Sequence, residues 1–382
     1  MQFELNEDQK ALRDAIVTFA KAELNDGIIE RDQESRFPRD LWLKCGDMGL
    51  QGLPVPAEYG GMELDPVSVV AALEGLGYGC KDGGLAFAIN AHLLACVVPV
   101  WKHGSEEQKK RFLPELCNGR LIAVNAMTEP DTGSDVFAMT TRAVPDGDGF
   151  RISGTKTFNS NAPVADVAIT YAVTDEEKGY HGGITSFIVP MDTPGVQAGQ
   201  TYKKLGLRTC PIGEVVFDDA YVGPELMLGG VGAGAVCFSQ SMDWERGCLA
   251  ATHIGTMERL LETAIQYART RRQFGQPIGK NQAISHRIAD MKIRLEAARL
   301  LTYRGAERLG RLRSASLDAS MAKVYVSESL VQSALDTIQV LGGYGFMVEY
   351  EVERQLRDSI GSTIYSGTNE MQRNIIARWI GL

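Results

Sequence analysis

The chain is short of the residues that build metal centres and disulfide scaffolds. Its five histidines, His92, His103, His181, His253 and His286, show no ligand spacing, so a metal site is not expected. The seven cysteines, Cys45, Cys80, Cys96, Cys117, Cys210, Cys237 and Cys248, form an odd set without a CxxC pair or a repeated interval. Reduced thiols in a cytoplasmic protein are the expectation, not a cross-linked or zinc-bound framework. Positive charge is also scarce: 39 Lys and Arg against 48 Asp and Glu leave a net charge of -9. Nucleic acid is therefore not an expected partner, because phosphate binding needs a clustered basic face. The N-terminal "MQFELNEDQK" has no apolar run followed by a small-residue cleavage site, so no export signal is read there. The most apolar run, "HLLACVVPVW" at 92–101, contains Pro99 and is half of the roughly 20 residues that span a bilayer. It is expected to be a buried helix end, and no membrane partner is expected. There is no internal repeat, the 41 glycines follow no period, and no G-x-S-x-G elbow is present, so collagen-like and hydrolase readings lack support.

What remains is ordinary globular usage, 44% hydrophobic and 23% charged over 382 residues. That length exceeds what one core organises and predicts two or three packed units. From Asn6 the pattern is helical, with Leu12, Ile16 and Phe19 on one face, and "SEEQKKRFLPEL" opens on a Ser105 cap. Between about 119 and 225, short β-branched or aromatic runs take over: "LIAVNAM", "TTRAV", "FRISG", "VAITYAV", "ITSFIVP" and "EVVFDDAYV". They predict a small antiparallel barrel or sandwich and disfavour a parallel doubly wound sheet. Long helices then return. Met257, Leu260, Leu261, Ala264, Ile265 and Ala268 mark one apolar stripe, Ile284, Ile288, Met291, Leu295 and Ala298 another, and two further helices are expected near 315–340 and 368–380. The organisation expected is an all-α unit at 1–118, a β unit at 119–226 and a four-helix bundle at 227–382. "GVGAGA" at 230–235 satisfies the dinucleotide fingerprint only formally, because no parallel strand-helix context surrounds it, and is read as an entry to a helix.

Five stretches carry a more specific signal: "AMTEPDTGSD" (126–135), "GTKTFNSNAPVAD" (154–166), "ARTRRQFGQPIGKNQAISHRIADMK" (268–292), "IQVLGGYGF" (338–346) and "YSGTNEMQRNIIAR" (365–378). In identity and order they resemble the acyl-CoA dehydrogenase family, and the resemblance spans essentially the whole chain. It implies the family's α+β fold, FAD as cofactor and a homotetramer. It places the backbone from Asn125 through Met127 to Thr128 along the flavin ring, with hydroxyl groups from Thr128 and Ser134. Phe158 and Ser160 stand where the family usually has a tryptophan and a threonine. Both departures keep the chemical type, since an aromatic face can still cover the ring and a serine hydroxyl can still donate. Arg271, Gln273 and Phe274 would reach a neighbouring subunit's FAD, with Gln339, Gly342 and Gly343 against its pyrophosphate. Thr368 and Glu370 open the last helix, whose free N–H groups favour an anion or polar ligand. Taken singly, Gly342 and Gly343 would be a helix cap and Arg271 a solvated residue; their joint order carries the reading.

The implied reaction is α,β-dehydrogenation of an acyl thioester, which needs a carboxylate opposite the flavin to take the α-proton. The family's more common glutamate position is Ser366, which cannot serve. A minority of the family, the isovaleryl-type enzymes among them, places the base earlier, in a motif that "SMDWERGCLAA" at 241–251 resembles. Glu245 matches that base, and Arg246, Ser366 and Gly367 are the expected substrate contacts. Asp243 should face another side of the helix.

Within the family, "INAHLLACVVPV", "NAPVAD", "DWERGC" and "STIYSGTNEMQ" are similar to dehydrogenases of prolyl or other acyl groups on an acyl or peptidyl carrier protein. For a prolyl group, a second oxidation or a tautomerisation would follow toward pyrrole. The alternative is a short or branched acyl-CoA dehydrogenase of catabolism using the same Glu245; a more remote one is a non-dehydrogenase flavoprotein of this fold. Electron-transfer flavoprotein or oxygen is the expected acceptor. A carrier would call for a basic docking face, for which "WKHGSEEQKKR" and "RGAERLGRLR" are candidates. Asn159, where an apolar residue is common, is either a polar contact near the acyl group or a surface-directed strand residue.

Overall fold

In a computed structural model, residues 4–309 and 315–382 are described. The helical start follows from its caps. Asn6 Oδ1 accepts from Gln9 N at 2.8 Å while the Gln9 side chain accepts from Asn6 N at 3.1 Å, a capping box that opens α1 (Glu7–Glu23). α2 (Ile28–Glu34) and α3 (Arg39–Asp47) follow, then α4 (Pro66–Gly79), with Asp65 as N-cap and proline at its first position.

The apolar run behaves differently from its expectation. α5 (Gly83–His92) passes through a π turn at Leu93–Val97 directly into α6 (Val98–His103). The result is one helical stretch, Gly83–His103, long and apolar enough to cross a membrane by length and composition. Of its most apolar window 83% is buried inside the protein, so it serves as a core helix and not merely a helix end. The π turn carries the chain past Pro99 without ending the helix. α7 (Glu106–Cys117) opens on a second capping box, Ser105 with Gln108.

The β unit holds β1 (Ala123–Ala126), β2 (Arg142–Asp146), β3 (Gly149–Ser160), β4 (Val167–Val173), β5 (Ile184–Pro190), β6 (Val196–Thr201), β7 (Ile212–Val222) and β8 (Met227–Leu228). The strand order is β6-β7-β3-β2-β4-β5-β8, with β1 added on β4. It is not purely antiparallel, as the sequence suggested: β1 runs parallel to β4 from Ala123↔Val167 to Ala126↔Thr170, and β2 meets β4 in parallel at Arg142↔Val173. β3 continues through "GTKTFNS", with register shifts against β7 between Ile152 and Gly154 and between Lys156 and Asn159. The second shift is a bulge next to the site, where such devices redirect side chains.

The C-terminal unit comprises α8 (Gly234–Cys248), α9 (Ala250–Thr270), a hairpin of β9 (Arg272–Gln273) and β10 (Gln276–Pro277), α10 (Gln282–Leu309), α11 (Ser316–Leu341), α12 (Val352–Gly361) and α13 (Asn369–Trp379). Three long helices build its core: Met257, Leu260 and Ala264 of α9, Met291 and Leu295 of α10, and Val326, Leu330 and Ala334 of α11. The bundle is thus three long helices with α4 packed against α9, while α8, α12 and α13 are shorter. Glu74 of α4 locks the two helical units together. Its buried carboxylate accepts from Arg299 Nη2 at 2.8 Å and Tyr303 Oη at 2.7 Å, with Arg13 Nη2 at 3.5 Å.

Candidate active site

A cavity of about 620 Å³ opens between the β unit and the C-terminal helices, within the usual range for a small-molecule site. It brings together Asn125, Met127, Thr128, Ser134, Phe158 and Ser160 from the β unit with Glu245, Arg246, Ser366, Gly367 and Thr368 from the helical one. Residues separated by more than 200 positions therefore line one cavity.

The β-side wall is held by Lys156, a residue the sequence reading passed over. Its buried ammonium bonds the Met127 carbonyl at 3.1 Å and Glu129 Oε1 at 2.9 Å, fixing the strand end that carries Thr128. Thr157 N donates to the Thr128 carbonyl at 2.7 Å and ties that segment to β3. Burial pulls the lysine down to about 8. Glu129 also resists burial, but Lys156 and the Thr140 and Thr141 donors overcome it and hold the carboxyl at about 2. The pair is therefore charged on both sides near neutral pH, a buried ion pair that sets geometry more than stability.

Just beyond it the backbone is strained. Phe158 has φ +55° and Asn161 φ +71°, both non-glycine residues in the left-handed region, a pattern concentrated at functional sites. The Phe158 ring is left 60% exposed at the cavity, resting on Tyr202 at 5.3 Å between centroids. Asn159 is 2% exposed, which excludes the surface-directed reading; it lines the cavity, and its Nδ2 has no partner. Asn125 Oδ1, also on the wall, is likewise unpartnered.

These features fit a flavin. An exposed aromatic face, an unsatisfied amide donor and an unsatisfied amide acceptor on one cavity are what a flat heterocycle with its own donors and acceptors would satisfy. Asn125, Met127, Thr128, Ser134, Phe158 and Ser160 would hold it.

On the opposite wall Glu245 of α8 is 7% exposed. Ser366 Oγ donates a short hydrogen bond to Glu245 Oε1, so the two alternative base positions meet in space. Burial raises the Glu245 carboxyl above its ordinary value, opposed by the Ser366 bond and by the charges of Arg246 and Lys323. Arg246 Nε donates to the Ser366 carbonyl at 2.9 Å, and Gln372 Nε2 donates to the carbonyls of Ser366 and Gly367 at 3.1 and 3.0 Å. Those bonds stabilise the left-handed backbone of Ser366 (φ +57°) and Gly367 (φ +87°). Tyr365, next in the turn, stacks on Phe87 at 4.5 Å and shares a hydrogen bond with His253 Nε2 at 2.7 Å. Asp243 lies off the cavity and accepts from Ser316 Oγ at 2.5 Å. A buried carboxylate facing an aromatic-lined cavity can take a proton from carbon; among the described residues no cluster of His, Cys, Asp or Glu could hold a metal ion.

The remaining motif residues lie elsewhere. Arg271, Gln273 and Phe274 sit at the end of α9 and in the β9–β10 hairpin, and Gln339, Gly342 and Gly343 at the end of α11, all exposed. Arg271 lies 5.8 Å from the Tyr344 ring, which joins the two groups into one surface. Thr368 is the N-cap of α13, accepting from Met371 N at 3.3 Å, whereas Glu370 points to solvent. Of the two basic stretches, "WKHGSEEQKKR" holds Lys102 over Trp101 at 3.5 Å and Lys109 on Glu106 at 2.9 Å, and leaves Lys110 and Arg111 exposed. In the other, Arg304 and Arg308 pair with Asp318 at 3.2 and 2.7 Å, and residues 310–313 lie outside the described residues.

Comparison with known proteins gives the family of the whole chain. The patterns described as "Acyl-CoA dehydrogenase, N-terminal domain", "middle domain" and "C-terminal domain" match residues 6–120, 125–220 and 232–381. The chain is 46% identical over 347 residues to an L-prolyl-[peptidyl-carrier protein] dehydrogenase of Pseudomonas fluorescens, covering 91% of each. Among solved structures it is similar to the prolyl acyl carrier protein oxidase AnaB, with a TM-score of 0.97 at 44% identity, over 99% of this chain and 100% of that one. It is similar also to PigA with FAD and proline, with a TM-score of 0.97 at 41% identity over the whole of both chains.

Proposed function

The chain belongs to the acyl-CoA dehydrogenase family, and from that premise we propose that it desaturates a prolyl-like or short acyl group borne as a thioester on an acyl or peptidyl carrier protein, in secondary metabolism. It is an FAD-dependent oxidoreductase. FAD, when bound, supplies a hydride acceptor. The chain's own residues do the rest. Glu245 Oε takes the α-proton as the carbanion character develops, Ser366 and Arg246 hold that carboxylate and its turn in place, and Phe158 covers the cofactor face. Asn159, polar and unpartnered in the wall, suits a substrate or ring with a heteroatom. Taking a prolyl ring to pyrrole requires a second oxidation, because tautomerisation removes no hydrogen.

The observation that carries the reading is the buried Glu245 touching Ser366 at the cavity: the base has moved, and the site remains complete without a glutamate at 366. The carrier as handle is supported by likeness to the prolyl-carrier dehydrogenase and oxidase. We also assign a homotetramer in which Arg271, Gln273, Phe274, Gln339, Gly342 and Gly343 meet a neighbour's FAD, electron-transfer flavoprotein or oxygen as acceptor, and a cytoplasmic location. Anaerobic bleaching of the flavin absorbance tests the function directly, comparing prolyl and short acyl groups on carrier protein with the same groups on CoA. Bleaching only by the carrier-bound prolyl group is expected. Bleaching by CoA thioesters alone would put the enzyme in catabolism, and bleaching by neither would overturn the reading.

A further inference from the structure

A second, much smaller void of about 10 Å³ touches Glu245, Arg246, His253, Lys323, Tyr365 and Ser366. Its walls are mostly apolar, so little solvent screens the charged side chains that line it. Lys323, on α11, is 6% exposed. Its ammonium donates to the neutral Asn369 Oδ1 at 2.7 Å, and among the described residues no carboxylate is in ion-pair contact with it. Glu245 is in the complementary position: buried, accepting from the neutral Ser366, and without an ion pair to a cation, because Arg246 is committed to the Ser366 carbonyl. Two opposite buried charges that lack a mutual ion pair and line one small apolar gap are each costly alone and offset each other across it.

We propose that Lys323 is a positioning charge of the base: across this void its ammonium favours the ionised Glu245 carboxylate and keeps it ready until the α-proton arrives. The arrival of a proton rests on the function proposed above; the charge coupling does not. Arg246 lines the same void and acts on Glu245 in the same direction while bound to the Ser366 carbonyl; Lys323 is the second cation, and the remaining groups around the void are neutral. His253 on α9 is held down to about 4 by burial and is neutral. Tyr365 is pushed upward by burial and is neutral as well. Cys96 of the π turn and Tyr171 of β4, which also sense Glu245, are raised by burial and uncharged. Glu370 of α13 and Glu328 of α11 support the ammonium from the solvent side, while burial and Arg246 bring Lys323 down to about 8.

The test follows Glu245 ionisation without relying on turnover. In the holoenzyme, the protonated-carboxyl infrared band that E245Q removes is titrated with pH in wild type, K323M and K323R. Removing an opposite charge at this range should move the midpoint up by about one pH unit in K323M, and K323R should return it. The acid limb of kcat/KM should move by the same amount. A midpoint unmoved in K323M, or the absence of any band removed by E245Q, overturns the proposal, even where K323M loses FAD or melts earlier. If K323M does not fold, K323Q keeps an amide toward Asn369 and carries the same expectation. A shifted midpoint in an enzyme that bleaches with no thioester would leave this coupling standing and sink the proposed reaction.

Discussion

Glu245 and Ser366 are 121 positions apart, and their contact could not be read from either motif alone. A candidate base could be named from the sequence because "DWERGC" presents a glutamate at the alternative position while position 366 lacks one. Its environment was not legible, since burial and the serine donor arise only when α8 and the turn before α13 pack together. Glu245→Gln should lower turnover by roughly 100- to 10,000-fold, the usual worth of a positioned base, with FAD content unchanged in the absorbance spectrum. Adding Ser366→Glu to that variant should restore part of the rate, because the two side chains already touch; no recovery would mean that the two positions do not reach the same α-carbon. Ser366→Ala tests the same contact by pH. The proposed base works ionised, so activity should fall as pH drops through the Glu245 pKa, which burial raises above the ordinary carboxylate range. Ser366 opposes the rise, so its loss should move the acid limb of kcat/KM to still higher pH. A profile identical to wild type would show that the bond is absent in solution. Asn159 was ambiguous in the sequence because strand alternation alone does not say where a bulge redirects a side chain.

At the scale of elements, the cavity rim depends on the connection between β6 and β7. Lys204, Leu205, Gly206 and Leu207 line the cavity, and Leu207 is held in the left-handed region at φ +51°. Acids from other helices anchor this loop: Leu207 N donates to Asp358 Oδ1 of α12 at 2.5 Å, and Thr209 bonds Asp82, the N-cap of α5. Neither anchor was visible in the sequence, and β6 itself, "VQAGQT", is an exposed edge without the alternation that marks a strand. Long helices and capped starts were legible because their signals are local, whereas the parallel β1–β4 pairing depends on partners about 44 residues away. Burial pushes Asp358 up to about 7, with Asp82 and Asp32 adding to the rise and Leu207 N and Arg354 opposing it. A carboxyl raised in the folded state binds protons that the unfolded chain has released, so the stability it contributes is present in acid and is lost as pH rises from about 4 to about 7. Asp358→Asn keeps an acceptor for Leu207 N and removes the titration. Its unfolding free energy should be flatter across that window, by an amount on the order of 4 kcal/mol at most. Equal slopes for the two proteins in denaturant titrations across that range would show that Asp358 does not titrate there.

Viewed as a whole molecule, the single chain leaves one surface unexplained by its own folding. Phe274 is 97% exposed at the tip of the β9–β10 hairpin, with φ +50°. Among the described residues nothing rewards holding a large aromatic ring in water on a strained backbone. The neighbouring surface is apolar as well: Tyr344, Phe346, Met347, Val348 and Tyr350 are all exposed beyond the end of α11. Tyr344 lies 5.0 Å from the Tyr350 ring and near Arg271, so these side chains form one patch and not scattered single residues. An apolar patch holding an arginine and positive-φ glycine backbone at Gly342 suits an interface that also meets a phosphate-bearing ligand. Arg271, Phe274 and Gly342 are among the residues that the family resemblance sets against a neighbour's FAD, so assembly and cofactor retention should fail together. Phe274→Ser should weaken association by at least about tenfold, as expected for an aromatic anchor, and the dissociated species should carry less flavin per chain. Sedimentation velocity followed at both protein and flavin wavelengths measures the two at once. A dissociated variant that keeps its full flavin would show that each chain holds FAD alone, and an intact assembly would show that Phe274 faces water in the native enzyme.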